Sequence, residues 1–320
     1  MTRSPSDLGR PVTSVATRVR HLLSLADVSP AELTALLDDA EALKREPVPH
    51  DAPLRGRALA MIFEKPSLRT RLSFDVAMRD LGGHSSYLSP QEVGLGRRES
   101  VSDVARVVSR YVDMVVLRTF SHETLEEFAK YSTVPVVNGL SDLSHPCQGL
   151  ADIFTIRERK GRLDRVVAAY VGDGNNVSHS LMLAAAKTGM TLRVASPAGF
   201  EPLARFRELS ERAARSTGAR ITFGADPVAA VRDADVVYTD VWTSMGQEQE
   251  YERRRRAFQG FQVNRELLAN AKPDAIVLHD LPAHRGEEIT DDVIDGPQSA
   301  VFDQAENRLH TQKAVLRWIA

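Results

Sequence analysis

Cysteine is almost missing from this 320-residue chain: Cys147 is the only one. That scarcity excludes an intrachain disulfide framework and a cysteine-built zinc site, and it points to a reducing, cytoplasmic setting. Long apolar runs are missing too. None approaches the roughly 20 residues that a helix needs to cross a bilayer, and the first residues lack the apolar core of a signal peptide, so no membrane partner is expected. Charge of one sign is absent, with 41 lysines and arginines against 43 aspartates and glutamates for a formal charge of −2. No nucleic-acid partner follows from such a balance, and any basic site must be local. Internal repeats are absent as well. What remains is enough chain for two domains, since single cores stop growing near roughly 250 to 300 residues.

Residues 1–15 are rich in Ser, Pro and Thr and read as a flexible tail. Two amphipathic stretches follow, His21 to Leu25 and Pro30 to Leu43, and both read as a helical lead-in, the second with Ser29 as N-cap. Apolar runs then alternate with helical periodicity: Ala58 to Ile62, Ser85 to Leu88, Met114 to Leu117 and Val134 to Val137 in a first series. A second series comprises Val166 to Val171, Thr191 to Ala195, Arg220 to Phe223, Val236 to Thr239 and Ala275 to Leu278. The alternation predicts an α/β protein of two Rossmann-like domains, each a parallel sheet flanked by helices. Gln148 to Lys160 carries helical period between them and reads as an interdomain helix; a C-terminal helix spans 305–320. The division drawn is 16–147 with 305–320 for the first domain and 148–304 for the second. The charge run Glu252 to Arg256 reads as a solvated face.

Ligands in such sheets bind beyond the C-terminal ends of strands, so the residues following each strand carry the functional reading. After Ala58 to Ile62 comes Phe63-Glu64-Lys65-Pro66-Ser67-Leu68-Arg69-Thr70-Arg71, at a strand-to-helix turn. Unpaired backbone N–H groups and the helix dipole favour an anion there, and Ser67, Thr70, Arg69 and Arg71 add donors suited to phosphate or carboxylate. Ser67 as an ordinary N-cap with both arginines on a solvated face fits the stretch alone equally well. Gly172-Asp173-Gly174 is a weak dinucleotide signal because Val177 stands where the third glycine belongs, which ranks a nicotinamide oxidoreductase well below a transferase. Cys147 reads as a small buried hydrophobe sooner than a nucleophile, since no activating base stands beside it in sequence. His145 is either a core histidine or a neutral donor to a carbonyl oxygen.

Taken in order, SLRTR at 67–71, HPCQ at 145–148, GDGNNVSHS at 172–180, DVWTSMG at 240–246, HDLPAHRGEEIT at 279–290 and FDQAENRLH at 302–310 resemble the aspartate/ornithine carbamoyltransferase family, in its ornithine branch. The resemblance implies condensation of carbamoyl phosphate with a diamino acid, without metal or cofactor, by a homotrimer. It implies that Ser67, Leu68 through its backbone, Arg69 and Thr70 hold phosphate. Arg118, His145, Gln148 and Arg308 would complete the pocket, and the Leu281 carbonyl would accept the carbamoyl NH₂. Asn176, Asp240, Ser244 and Met245 match the grip on the amino-acid end, and Arg118, His145 and Asp280 are the catalytic candidates.

Three positions depart from the family pattern: Leu68 stands for Thr, Gly94 for Gln (with Gln91 three residues upstream), and Asp280 for the Cys of HCLP. A carboxylate beside the attacking amine either stabilises its ammonium form and opposes attack, or takes the proton as general base. Turned away, it would pair with His279 or Arg285. L-ornithine, giving citrulline, is the leading acceptor. The same transfer to 2,3-diaminopropionate, 2,4-diaminobutyrate or lysine is the alternative, and a non-catalytic binding paralogue comes behind both.

Overall fold

The computed structural model describes residues 19–244 and 246–320, so the tail read over 1–15 and Met245 lie outside the described residues. Strands β1 (Ala58–Phe63), β2 (His84–Leu88), β3 (Met114–Arg118) and β4 (Val136–Leu140) form a four-stranded parallel sheet in the order β2-β1-β3-β4. Strands β5 (Val167–Val171), β6 (Thr191–Ala195), β7 (Arg220–Gly224), β8 (Val236–Thr239) and β9 (Ile276–His279) form a five-stranded parallel sheet in the order β7-β6-β5-β8-β9. In β1 every residue from Leu59 to Phe63 is buried, the unbroken apolar run expected of a parallel strand covered on both faces.

The first sheet is accompanied by α1 (Pro30–Arg45), α2 (Leu68–Asp80), α3 (Pro90–Val93), α4 (Val101–Val108) and α5 (His122–Tyr131). Helix α6 (Pro146–Lys160) leads from it to the second sheet. There follow α7 (Asn176–Thr188), α8 (Ala204–Thr217), α9 (Pro227–Val231), α10 (Tyr251–Ala257), α11 (Arg265–Leu268) and α12 (Asp291–Ile294). The last helix, α13 (Val301–Ile319), turns back to pack against α6, α1 and α2. It is tied there by Lys313, fully buried, whose ammonium meets Asp80 of α2 at 2.6 Å and donates to the Pro47 carbonyl at 2.6 Å. One continuous apolar core joins α1, α6, α7 and α13 to both sheets. Among the described residues no helix is long and apolar enough to cross a membrane.

Two local readings change. His21 to Leu25 is not helical: Leu22 forms a parallel bridge to Val137, donating to the Val136 carbonyl at 2.9 Å and accepting from Asn138 N at 2.8 Å. Only a three-residue 3₁₀ turn, Leu25–Asp27, follows. Five residues cannot offset the cost of nucleating a helix, whereas the free edge of β4 offers unpaired backbone groups. The strand read over Val134 to Val137 lies later, at Val136–Leu140, because Pro135 has no N–H for the ladder and Gly139 is tolerated inside it.

In each sheet the strand order reverses once, between β1 and β3 and between β5 and β8. Those reversals open crevices at the C-terminal strand ends. The two crevices face one another across a single cleft of about 1100 Å³.

Candidate active site

At the first crevice, Ser67 caps α2 with extended backbone, its hydroxyl accepting from Thr70 N at 3.3 Å. The unpaired N–H groups of this first turn, with Arg69 and Thr70, stand on the cleft wall. Leu68 belongs to the wall through its position, but its side chain is 78 % exposed, so the missing hydroxyl takes nothing from the buried donor set. Arg71 does not join: its guanidinium stacks on the Tyr87 ring at 4.0 Å. Gly94 ends α3 with φ of 58°, and neither it nor Gln91 lines the cleft.

Arg118, at the end of β3, and His145, the residue before α6, are buried in the same wall. Burial and then the neighbouring charge of Arg308 push the Arg118 guanidinium down to about 10. Burial, followed by the charges of Arg308, Arg118 and Arg69, holds His145 well below the ordinary imidazole value. That direction favours the neutral imidazole at the cleft wall. Arg118 Nε and His145 Nδ1 are buried without a hydrogen-bond partner among the described residues.

Arg308 reaches this wall from α13, donating to Thr70 Oγ1 at 3.0 Å and Gln148 Oε1 at 2.7 Å. Gln148 does not line the cleft but stands behind Arg308. Cys147 donates to the Asn138 carbonyl at 3.6 Å, and burial pushes its thiol up to about 11, so it packs as a small apolar group.

The second crevice carries carboxyl groups. Asn175 caps α7, accepting from Val177 N and Ser178 N, and donates to Asp240 Oδ2 at 2.6 Å. Asp240 Oδ1 accepts from Val241 N at 2.6 Å. Asn176 donates across the cleft to the Ser141 carbonyl at 2.7 Å, tying the two halves at this point, and Ser244 lines the same wall. Gly174 is required by packing: a Cβ there would stand 2.1 Å from Pro202 N and 2.2 Å from the Glu201 carbonyl carbon. The glycine admits residues 201–202, not a pyrophosphate.

Asp280 faces the cleft and not Arg285, which pairs with Asp291 at 2.8 Å and with Asp295. Its Oδ1 lies 3.7 Å from His279 Nδ1, but that ring is committed elsewhere. Nδ1 accepts from Leu281 N at 2.9 Å, and Nε2 therefore carries the proton toward Glu288 Oε1 at 3.0 Å. Asp240, His279 and Asp280 hold ligand-type atoms within 4.8 Å of one another, yet the imidazole has no free lone pair to offer a cation. Burial, then the charge of Asp240 and a hydrogen bond that the protonated Asp280 carboxyl donates to it, hold Asp280 well above the usual carboxylate range, with Arg308 opposing. Leu281 stands beside it with φ of 57°.

Several wall residues escaped the sequence reading. Arg254, inside the run read as a solvated face, is buried; it donates to Asp173 Oδ2 at 2.8 Å, to the Trp242 carbonyl at 3.0 Å and to Glu250 at 2.9 Å. Burial pushes Asp173 up to about 6 against that ion pair. Lys65 lines the opposite wall with its ammonium 4.4 Å from the Phe120 ring centroid. Lys65 and Asn175 lie within the stretches quoted at 63–71 and 172–180 but carry no role there, although their strand-end position is a usable signal; Arg254 has none.

Residues 20–158 match the family model described as aspartate/ornithine carbamoyltransferase, carbamoyl-P binding domain, and residues 164–319 match its Asp/Orn binding domain. The chain is 54% identical over 305 residues to the ornithine carbamoyltransferase of Pyrococcus abyssi, covering 94% of this chain and 96% of the relative. To that of Acidothermus cellulolyticus it is 56% identical over 306 residues, covering 94% and 96%. The solved ornithine carbamoyltransferase from Pyrococcus furiosus superimposes with a TM-score of 0.89 at 55% identity, covering 93% of this chain and 96% of that one.

Proposed function

The chain belongs to the aspartate/ornithine carbamoyltransferase family, and from that premise we propose that it transfers the carbamoyl group of carbamoyl phosphate to the side-chain amine of L-ornithine, giving L-citrulline and phosphate. The observation that carries the reading is the pairing of walls: Arg69, Arg118 and Arg308 with neutral His145 on one side, Asp240 and Asp280 on the other. One wall suits a phosphate, the opposite wall an amine.

In this reading the phosphate rests on Ser67, the backbone N–H of Leu68, Arg69, Thr70 and Arg308, with Gln148 supporting Arg308 from behind. Arg118 and His145 point at the carbamoyl oxygen, and the Leu281 carbonyl accepts from the carbamoyl NH₂. As the amine nitrogen bonds to the carbonyl carbon, negative charge builds on the oxygen, and donors already in place stabilise it without reorganising. The carbon–oxygen bond to phosphate then breaks, and the phosphate leaves within its own cradle. Asn176, Asp240, Ser244 and Met245 grip the α-amino and α-carboxylate end. Asp280, in its ionised form, takes the proton of the attacking amine; the burial that raises the carboxyl makes that ionised form a stronger base than an ordinary carboxylate.

The division into 16–147 with 305–320 for carbamoyl phosphate and 148–304 for the amino acid follows from this placement, with closure of the halves completing the site. A cytoplasmic homotrimer acting in arginine biosynthesis is part of the same reading, supported by the word anabolic in the name of the Pyrococcus furiosus relative. A sedimentation mass of a monomer contradicts the trimer.

The test is kcat/KM with carbamoyl phosphate and a panel of diamino acids. L-ornithine is expected to lead 2,4-diaminobutyrate and lysine by about tenfold or more, since a methylene in a fitted pocket is worth roughly 1 to 3 kcal/mol. A shorter or longer acceptor in first place, or no ureido product with any, overturns the reading.

A further inference from the structure

We infer that Asp152, one turn beyond Gln148 on α6, is the positioning residue that keeps the two walls in register: through Gln148 it sets Arg308, and through Gln304 it sets the end of β9 that carries Asp280 and Leu281. The inference rests on the carbamoyl-transfer reading for its consequences, and on the geometry for its existence. Asp152 is fully buried and does not line the cleft. Its Oδ1 accepts from Gln148 Nε2 at 2.8 Å and from Gln304 Nε2 at 2.6 Å, while Oδ2 accepts from Tyr238 Oη at 3.2 Å.

Burial pushes the Asp152 carboxyl up to about 7, but Oδ1, which both amides share, accepts whether or not Oδ2 carries a proton, so each glutamine turns its NH₂ toward Asp152 and its oxygen away. The two oxygens then point to opposite walls. Gln148 Oε1 accepts from Arg308 Nη1 at 2.7 Å; Gln304 Oε1 accepts from the backbone N–H of His279 at 2.9 Å. His279 in turn accepts from Leu281 N at 2.9 Å. A continuous chain of hydrogen bonds thus runs from Thr70, through Arg308, Gln148, Asp152, Gln304 and His279, to Leu281. Helical spacing makes it possible: Gln148 and Asp152 are four apart on α6, as are Gln304 and Arg308 on α13, so two matched pairs meet where the helices pack.

The relay also preserves charge. Arg308 is held by neutral oxygens, those of Thr70 and Gln148, and by Gln312, whose amide, turned to satisfy both its ends, accepts from Nη2 at 3.2 Å and Nε at 3.3 Å. A direct Arg308–Asp152 ion pair would neutralise the guanidinium. With an amide between them, the arginine is fixed while its charge stays available to an anion.

Asp152→Leu removes the acceptor for both glutamines, whereas Asp152→Asn retains an oxygen for them and presents an NH₂ to the Tyr238 oxygen. With inorganic phosphate as the calorimetric probe and L-ornithine as the varied substrate, Asp152→Leu is expected to weaken phosphate binding and raise the ornithine KM by about tenfold each, since small misplacements of site groups cost that much or more. Asp152→Asn is expected to recover both constants to within about threefold, because the acceptor geometry survives. A folded Asp152→Leu with both constants unchanged overturns the inference, as does an Asp152→Asn that falls as far. Should the leucine variant not fold, Gln304→Met reads one arm alone. Its ornithine KM should rise with phosphate affinity unchanged, a split that general loosening does not produce; equal changes in both, or none, overturn the inference. Parent protein that binds phosphate but makes no citrulline defeats the transfer reading and leaves the phosphate arm of this test intact.

Discussion

The two walls of the cleft are built from the same architectural device, a strand-order reversal in a parallel sheet, and they are opposite in chemistry. The first presents three arginines and a helix N-terminus, with Arg118 Nε and His145 Nδ1 unmatched. The second presents carboxyl groups, one of which, Asp280, is desolvated and pressed against Asp240. Like charges gathered on each side are costly alone and complementary to a substrate pair of opposite sign, so each wall stores a mismatch that its own ligand relieves. The difference teaches that fold alone does not assign the halves; the residue placed at each strand end does.

The largest effect expected from breaking this asymmetry is at Arg308. Arg308→Met should lower kcat/KM for carbamoyl phosphate by about 10³, roughly 4 kcal/mol, with the ornithine KM little changed, because it removes a preorganised donor from one wall only. Steady-state kinetics with each substrate varied in turn reads this. An effect confined to ornithine would invert the comparison.

Next comes the anchor that carries Arg308 into place. Lys313→Met leaves Asp80 with Arg79 alone, at 3.0 Å, and the Pro47 carbonyl without its donor, and should cost about 2 kcal/mol of stability by chemical denaturation, less than full removal of a buried ion pair's only partner. A loss below about 1 kcal/mol, the level of exposed pairs, would show that packing alone holds α13.

On the opposite wall, Asp280→Asn should lower kcat and raise stability at alkaline pH. The sign follows from the raised folded value: the carboxyl's stability contribution is complete below its unfolded value of 3.8 and is lost as pH climbs through the folded one. Above that point the ionised group is a burden, and the amide should raise Tm by about 2 to 4 °C, the scale of about 1 kcal/mol in a protein of this size. Equal melting of parent and variant at alkaline pH would show that Asp280 is not strained by its surroundings. The smallest effect belongs to Leu68→Thr, whose side chain is solvent-exposed. It should change kcat/KM by less than about threefold, within the usual range for surface substitutions.

Much of this asymmetry was legible beforehand because it depends on strand ends. Arg118, His145, Asn176, Asp240 and Asp280 each lie just beyond an apolar run, where chain direction alone brings them to the cleft. What stayed hidden depends on partners distant in sequence. Leu22 extends the first sheet only because β4 leaves an open edge. Arg254 is buried only because Asp173 and the Trp242 carbonyl meet it there. The motif resemblance puts Gln148 at the pocket; its amide stands behind Arg308, since Asp152 and α13 decide where it points.

The most direct measurement joins the two walls in one ligand: the affinity of a compound linking a phosphonate in place of carbamoyl phosphate to the side-chain nitrogen of ornithine. Walls that converge on one reacting pair should bind it at least about 10²-fold more tightly than either half alone, as mimics of a bound transition state do. Affinity no better than that of the stronger half would mean that the arginine wall and the carboxyl wall do not act on a common reaction centre.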